Sequence, residues 1–156
     1  MSTNSYILGF NDFINEELDV MKSDGTICSF EYDWFYYNQE DDIIYGCNDK
    51  PVGENSFFAF NPTACTIIIG GKEKNYDVNN PVCLIRYNMD EEMVTVYTDD
   101  YMQYLNELGF KGNDIESQQG RNSIMDIFEM LDDKERHILI SGNKLIASTF
   151  DVIEEE

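Results

Sequence analysis

From 26 to 37 the chain alternates, with Cys28, Phe30, Tyr32, Trp34 and Tyr36 on one side and Ser29, Glu31, Asp33, Phe35 and Tyr37 on the other. A period of two marks an extended strand with one buried and one wet face, so this chain is committed to building a sheet. Short apolar runs at 43–47, 56–60, 64–69, 82–87 and 93–98 repeat the signal. Turn residues separate them at Asn48-Asp49-Lys50-Pro51, Asn61-Pro62, Gly70-Gly71 and Asn88-Met89-Asp90. Short strands joined by short turns predict an antiparallel β-meander of about five to seven strands.

Helical spacing flanks the strands. Phe10, Phe13, Ile14, Leu18 and Met21 predict an N-terminal helix, with Asp12, Glu16 and Glu17 early and Lys22 at its end, as the helix dipole favours. Tyr101, Tyr104, Leu105 and Leu108 predict a helix over 99–108, stopped by Gly109. After a polar loop at 111–122, Ser123-x-x-Asp126 reads as the start of a second helix that turns Ile124, Ile127, Phe128 and Leu131 inward. The runs 137–140 and 145–150, joined through Gly142-Asn143, read as a closing hairpin. The expected class is α+β, with 1–156 as a single acidic domain, because no linker or low-complexity stretch divides it.

Charge then bounds what such a domain meets. Asp and Glu number 31 against 10 Lys and Arg, a formal charge of −21. Very acidic chains are usually disordered, but this one is 42% hydrophobic, with ten Tyr, ten Phe and one Trp, which is enough to fold. Its 15 Asn against 7 Lys suggest that Lys is scarce because of charge and not because of codon bias. A surface this negative repels nucleic acid and anionic lipid and attracts basic clefts. No run approaches the roughly 18–20 apolar residues of a membrane span, and the first ten residues lack a basic, apolar leader pattern. The expected compartment is the cytoplasm, that of the host if the chain is viral.

Residues with chemistry are few. His137 is the only histidine, which excludes a multi-histidine metal site and points to a structural role. Cys28, Cys47, Cys65 and Cys83 lie 18–19 residues apart, without the close pairs of a zinc site, and read as free thiols. There is no Gly-rich phosphate loop and no nucleophile–base set, so no catalytic residue, metal or cofactor is expected.

What remains is a binding surface. Seven acids and no base lie between Lys22 and Lys50, and six between Arg86 and Lys111. Glu31 and Asp33 share a strand face about 6.8 Å apart, which Phe35 and Tyr37 continue. With Glu40, Asp41 and Asp42, Asp90, Glu91 and Glu92, and Asp99 and Asp100, they form the expected partner contacts: carboxylates to steer and pair, aromatics to anchor. The expectation is a non-enzymatic acidic inhibitor of the basic nucleic-acid-binding surface of another protein. It would act as a DNA or RNA mimic, as phage antagonists of restriction, CRISPR or transcription machinery do, an analogy of charge and size. The alternative is an immunity protein that neutralises a cognate toxin such as a nuclease. Either way the partner is a basic protein, with no direct nucleic-acid or membrane binding.

Overall fold

The alternating runs do become strands, but in two sheets and not one meander. The structure, a computed structural model, describes residues 2–3, 5–6, 20–22, 28–51 and 57–154. Among the described residues β1 (Ser2–Thr3) and β2 (Ser5–Tyr6) pair with each other in a separate two-stranded sheet. A seven-stranded sheet runs β3 (Val20–Met21), β14 (Asp151–Glu154), β6 (Ile43–Cys47), β5 (Trp34–Asn38), β7 (Phe58–Asn61), β8 (Thr66–Ile69), β9 (Lys72–Asn75). A five-stranded sheet runs β11 (Met93–Tyr97), β10 (Val82–Asn88), β12 (Glu135–Ser141), β13 (Lys144–Ser148), β4 (Cys28–Ser29). Every pairing is antiparallel except β14 with β6. The class is mixed α+β, with α1 (Tyr101–Leu108) and α2 (Gln118–Glu129) as its helices among the described residues.

Three layers follow from which faces are apolar. Phe35, Tyr37, Ile44, Phe58 and Phe60 of the larger sheet meet Cys83, Ile85, Tyr87, Ile138, Ile140 and Leu145 of the smaller one in a shared core. On the other face of the smaller sheet, Val82, Leu84, Leu139, Ile146 and Ala147 pack under Tyr104, Leu105, Ile124 and Phe128 of the helices. β10 and β12 are therefore buried on both sides. Each fully buried large apolar side chain in them contributes about 1.5–3 kcal/mol.

The clearest strand of the sequence is broken. Cys28–Ser29 lies in the five-stranded sheet and Trp34–Asn38 in the seven-stranded one, with a bend at 30–33 between them. The backbone amides of Glu31 and Tyr32 both donate to the Glu154 carboxylate, at 2.7 and 3.0 Å, which holds the bend. The bend also inverts the phase. Phe35 and Tyr37 are 0% and 1% exposed, while Trp34 and Tyr36 are only half-buried. Further corrections concern the ends of the chain. The expected N-terminal helix falls mostly outside the described residues, and at its end Val20–Met21 is a strand paired with β14. The second C-terminal helix starts earlier than Ser123: Ser117 caps it, its hydroxyl accepting from Gly120 N at 3.0 Å. The hairpin β12–β13 does not close the chain, because β14 follows and crosses to the larger sheet.

Three hairpins share one construction. β5–β6, β7–β8 and β10–β11 each have a four-residue loop opened by Asn38, Asn61 or Asn88. Each Asn side-chain oxygen accepts a backbone N–H from its own loop: from Glu40 and Asp41, from Ala64, and from Glu91. Each loop ends on a left-handed residue that is not glycine: Asp42 (φ 57°), Cys65 (φ 55°) and Glu92 (φ 51°). A side chain there costs about 1–2 kcal/mol, part of which glycine returns as unfolded-state entropy. Glu92→Gly is thus expected to raise stability by about 0.5–1 kcal/mol, read from urea midpoints, with Glu92→Ala showing no such gain. A loss of stability in the glycine variant contradicts this account of the loop.

Candidate functional site

Two of these hairpin loops, together with the α2–β12 loop, meet at one end of the molecule. Asp42 joins the two sheets there. It accepts from the Tyr37 hydroxyl at 2.6 Å and pairs with Arg136 on β12 at 3.0 Å. The Arg136 guanidinium also donates to the Asp133 carbonyl. The β10–β11 loop is tied to the same region, since Met89 N donates to the Lys134 carbonyl at 2.8 Å and Asp90 pairs with Lys134 at 3.2 Å. Gln39 reaches across to the Tyr87 hydroxyl at 3.0 Å.

The result is an acidic pole. Glu40, Asp41, Asp42, Asp90, Glu91, Glu92, Asp132 and Asp133 are eight acids against Lys134 and Arg136, eight minus two giving a net −6. All of these acids are exposed except Asp42, which is half-buried. α2 points its C-terminal end, where the dipole is negative, at the same place, with no basic residue in its last turn. Two large apolar side chains stand out beside the charges, Met130 at 85% exposed and Met93 at 54%.

The structure sorts the expected contacts into three groups. Six acids, Glu40, Asp41, Asp42, Asp90, Glu91 and Glu92, come together at the pole, although Asp42 is a bridge between sheets and not a free charge. Glu31 and Asp33 are exposed but lie at the bend before β5, the end of that strand opposite the Glu40 loop. Asp99 and Asp100 follow the far end of β11, a strand that alone spans about 14 Å from Met93 to Tyr97. Phe35 and Tyr37 sit in the core, where Tyr37 stacks on Phe58 at 5.3 Å and packs against Tyr87 at 5.0 Å. Burial and the Asp42 carboxylate push the Tyr37 phenol well above its usual range, so it stays a neutral donor. Neither aromatic can anchor a partner. Met93, Met130, Asp132 and Asp133 take the places that sequence reasoning did not assign. The signal was available in the adjacent Asp132-Asp133, but Lys134 and Arg136 beside them kept the segment out of the base-free stretches.

The other chemically capable group lies on the helix side of the smaller sheet. His137 is fully buried, its Nε2 2.8 Å from the Tyr104 hydroxyl and its ring stacked on Phe128 at 4.8 Å between centroids. Arg86 faces it from the paired position on β10 and binds Glu135 through two N–H···O bonds, at 2.8 and 3.2 Å. Burial first, then the Arg86 charge, lowers the His137 pKa to about 3. A neutral imidazole with no exposed atom packs and accepts or donates one bond; it does not meet a substrate. Among the described residues no group of three or more His, Cys, Asp or Glu could hold a metal ion, and no helix is long and apolar enough to cross a membrane. All four cysteines are free, with Cys65 and Cys83 buried.

Compared with known proteins, the chain matches no family model, no curated protein and no solved structure.

His137 makes a pH prediction whose sign is fixed by its lowered pKa. Above about pH 6.5 neither the folded nor the unfolded chain protonates it, and stability is unaffected. As pH falls from there toward about 3, the unfolded chain takes up a proton that the folded one refuses, costing on the order of 1.4 kcal/mol per unit. His137→Phe keeps the stack on Phe128 and has no proton to refuse. Its stability deficit against the wild type at pH 7 is therefore expected to shrink by pH 4.5 in urea unfolding. A deficit of the same size at both pH values contradicts a buried neutral imidazole.

Proposed function

We propose that this chain is a non-enzymatic inhibitor whose acidic pole docks on the basic nucleic-acid-binding surface of another protein. The observation that supports this reading most is that the pole is built against local stability. A left-handed position that favours glycine, asparagine or aspartate holds Glu92. Asp132 and Asp133 follow a helix C-terminus, where the dipole favours cations. Like charges also sit side by side in both turns, Glu40-Asp41-Asp42 and Asp90-Glu91-Glu92. Such departures from locally favourable choices are expected at functional surfaces.

Mode of binding follows from the pole's make-up. Its field accelerates encounter with a positive cleft, over a range limited by a screening length of about 8 Å at physiological salt. Carboxylates then replace phosphates as acceptors for Arg and Lys. Met93 and Met130 supply apolar contact that adapts to the partner's surface and slows dissociation.

The test leaves Asp42 intact, because its bridge between Tyr37 and Arg136 is needed for the fold. A tagged full chain is used to capture partners from extract at low and moderate salt, beside the variant Glu40→Lys, Asp41→Lys, Glu91→Lys, Glu92→Lys. The expected capture is a nucleic-acid-binding protein that added DNA or RNA displaces. At about 1 kcal/mol per reversed charge, the variant is expected to bind on the order of a thousand-fold more weakly while keeping its circular dichroism spectrum. A partner that ignores nucleic acid, or that binds the variant as well as the wild type, contradicts the proposal.

A further inference from the structure

A second surface has the opposite local character. The hairpin β8–β9 turns through Gly70-Gly71, both at positive φ (58° and 80°), and its inner face meets β11, the edge strand of the other sheet, across an open cleft of about 620 Å³. Cavities of roughly 300–1,000 Å³ are the range that takes small organic ligands. Register fixes what lines it. Ile67 faces Lys74 and Ile69 faces Lys72 across the hairpin, so two isoleucines and two lysines share the inner face. Val96 of β11 closes the apolar side. Glu73, between the two lysines, points the other way and pairs with Lys50.

The two lysines are the unusual feature. In a chain with 31 acids and 10 bases, Lys72 and Lys74, like the solitary Lys111, have no ion-pair partner among the described residues, whereas Lys22, Lys50, Lys134 and Lys144 each have one. Asp77 and Asp99 also reach the rim, the Asp77 carboxylate accepting the backbone N–H of Asn79 at 2.8 Å, and neither forms an ion pair with the two lysines. We infer that this cleft binds a small single-chain amphiphile with an anionic head, the apolar body against Ile67, Ile69 and Val96 and the head on Lys72 and Lys74. The site is separate from the acidic pole, and its occupant has the charge that the rest of the surface repels. That makes binding by an anion informative, because long-range electrostatics alone disfavour it.

The probe is 1-anilinonaphthalene-8-sulfonate, an aromatic anion whose fluorescence rises in apolar surroundings, titrated into the folded full chain at neutral pH. Saturable binding of one probe per chain is expected, displaced by dodecanoate and at least ten-fold less well by dodecylamine of the same chain length. Lys72→Gln with Lys74→Gln, both at exposed positions, is expected to weaken the probe at least ten-fold with an unchanged circular dichroism spectrum. Inward lysines on an edge strand can also serve only to deter strand pairing between molecules, a role that needs no ligand. Absence of saturable binding, equal displacement by the amine, or an unaltered affinity in the double variant overturns the inference and leaves the lysines that protective role.

Discussion

The pairing of β10 with β12 is the constraint on which the rest of this structure depends. Seven residue pairs join the two strands, from Val82↔Ser141 to Asn88↔Glu135. Successive residues face alternate cores: Ile85 and Ile138 into the sandwich, Leu84 and Leu139 under the helices. A strand pair with no wet face has its register fixed from both sides, because a slip of one residue would exchange the two cores. Everything else is attached to that pair. The larger sheet packs on one side of it and the helices on the other, and two of the three acidic loops, 89–92 and 130–134, adjoin its Asn88↔Glu135 end.

That attachment explains how so much like charge can be held in one place. Asp42 is anchored by the buried Tyr37 and by Arg136, and Arg136 itself belongs to β12. Asp90 is held through Lys134, just before β12 begins. The two bridging bases are spent on geometry and leave a net negative surface around them. An exposed pair such as Lys134–Asp90 contributes little energy, typically below about 1 kcal/mol, so its consequence is position more than stability. The half-buried Arg136–Asp42 pair, completed by the Tyr37 hydroxyl, does more to fix where the turn sits.

How far the sequence disclosed this fold depended on whether the deciding contact was local. β6 was legible to the residue, and β10, β11, α1 and the β12–β13 turn nearly so, because alternation, helical spacing and Gly109 or Gly142 are local signals. The bend at 30–33 was not, since the carboxylate that holds it belongs to Glu154, more than a hundred residues away. Aromatics on both phases of that run, Trp34 and Tyr36 against Phe35 and Tyr37, left the alternation unable to say which face was buried. β9 escaped notice because Lys72–Asn75 is exposed throughout and has no apolar residue to pattern. β14 escaped because its parallel partner β6 lies about a hundred residues back. The candidate site divided in the same way. Its acidic turns could be read as turns, but their meeting, and the exclusion of Glu31, Asp33, Asp99 and Asp100 from it, follows from topology.

The most direct measurement is amide hydrogen exchange on the chain, free and bound to a captured partner, resolved by peptide. The account predicts slowed exchange on binding at 39–42, 89–93 and 130–134 together, with 31–33 and 99–100 unchanged. Protection at the bend or at the start of α1, with the three loops still exchanging freely, would place the interface elsewhere and contradict the acidic pole as the binding surface.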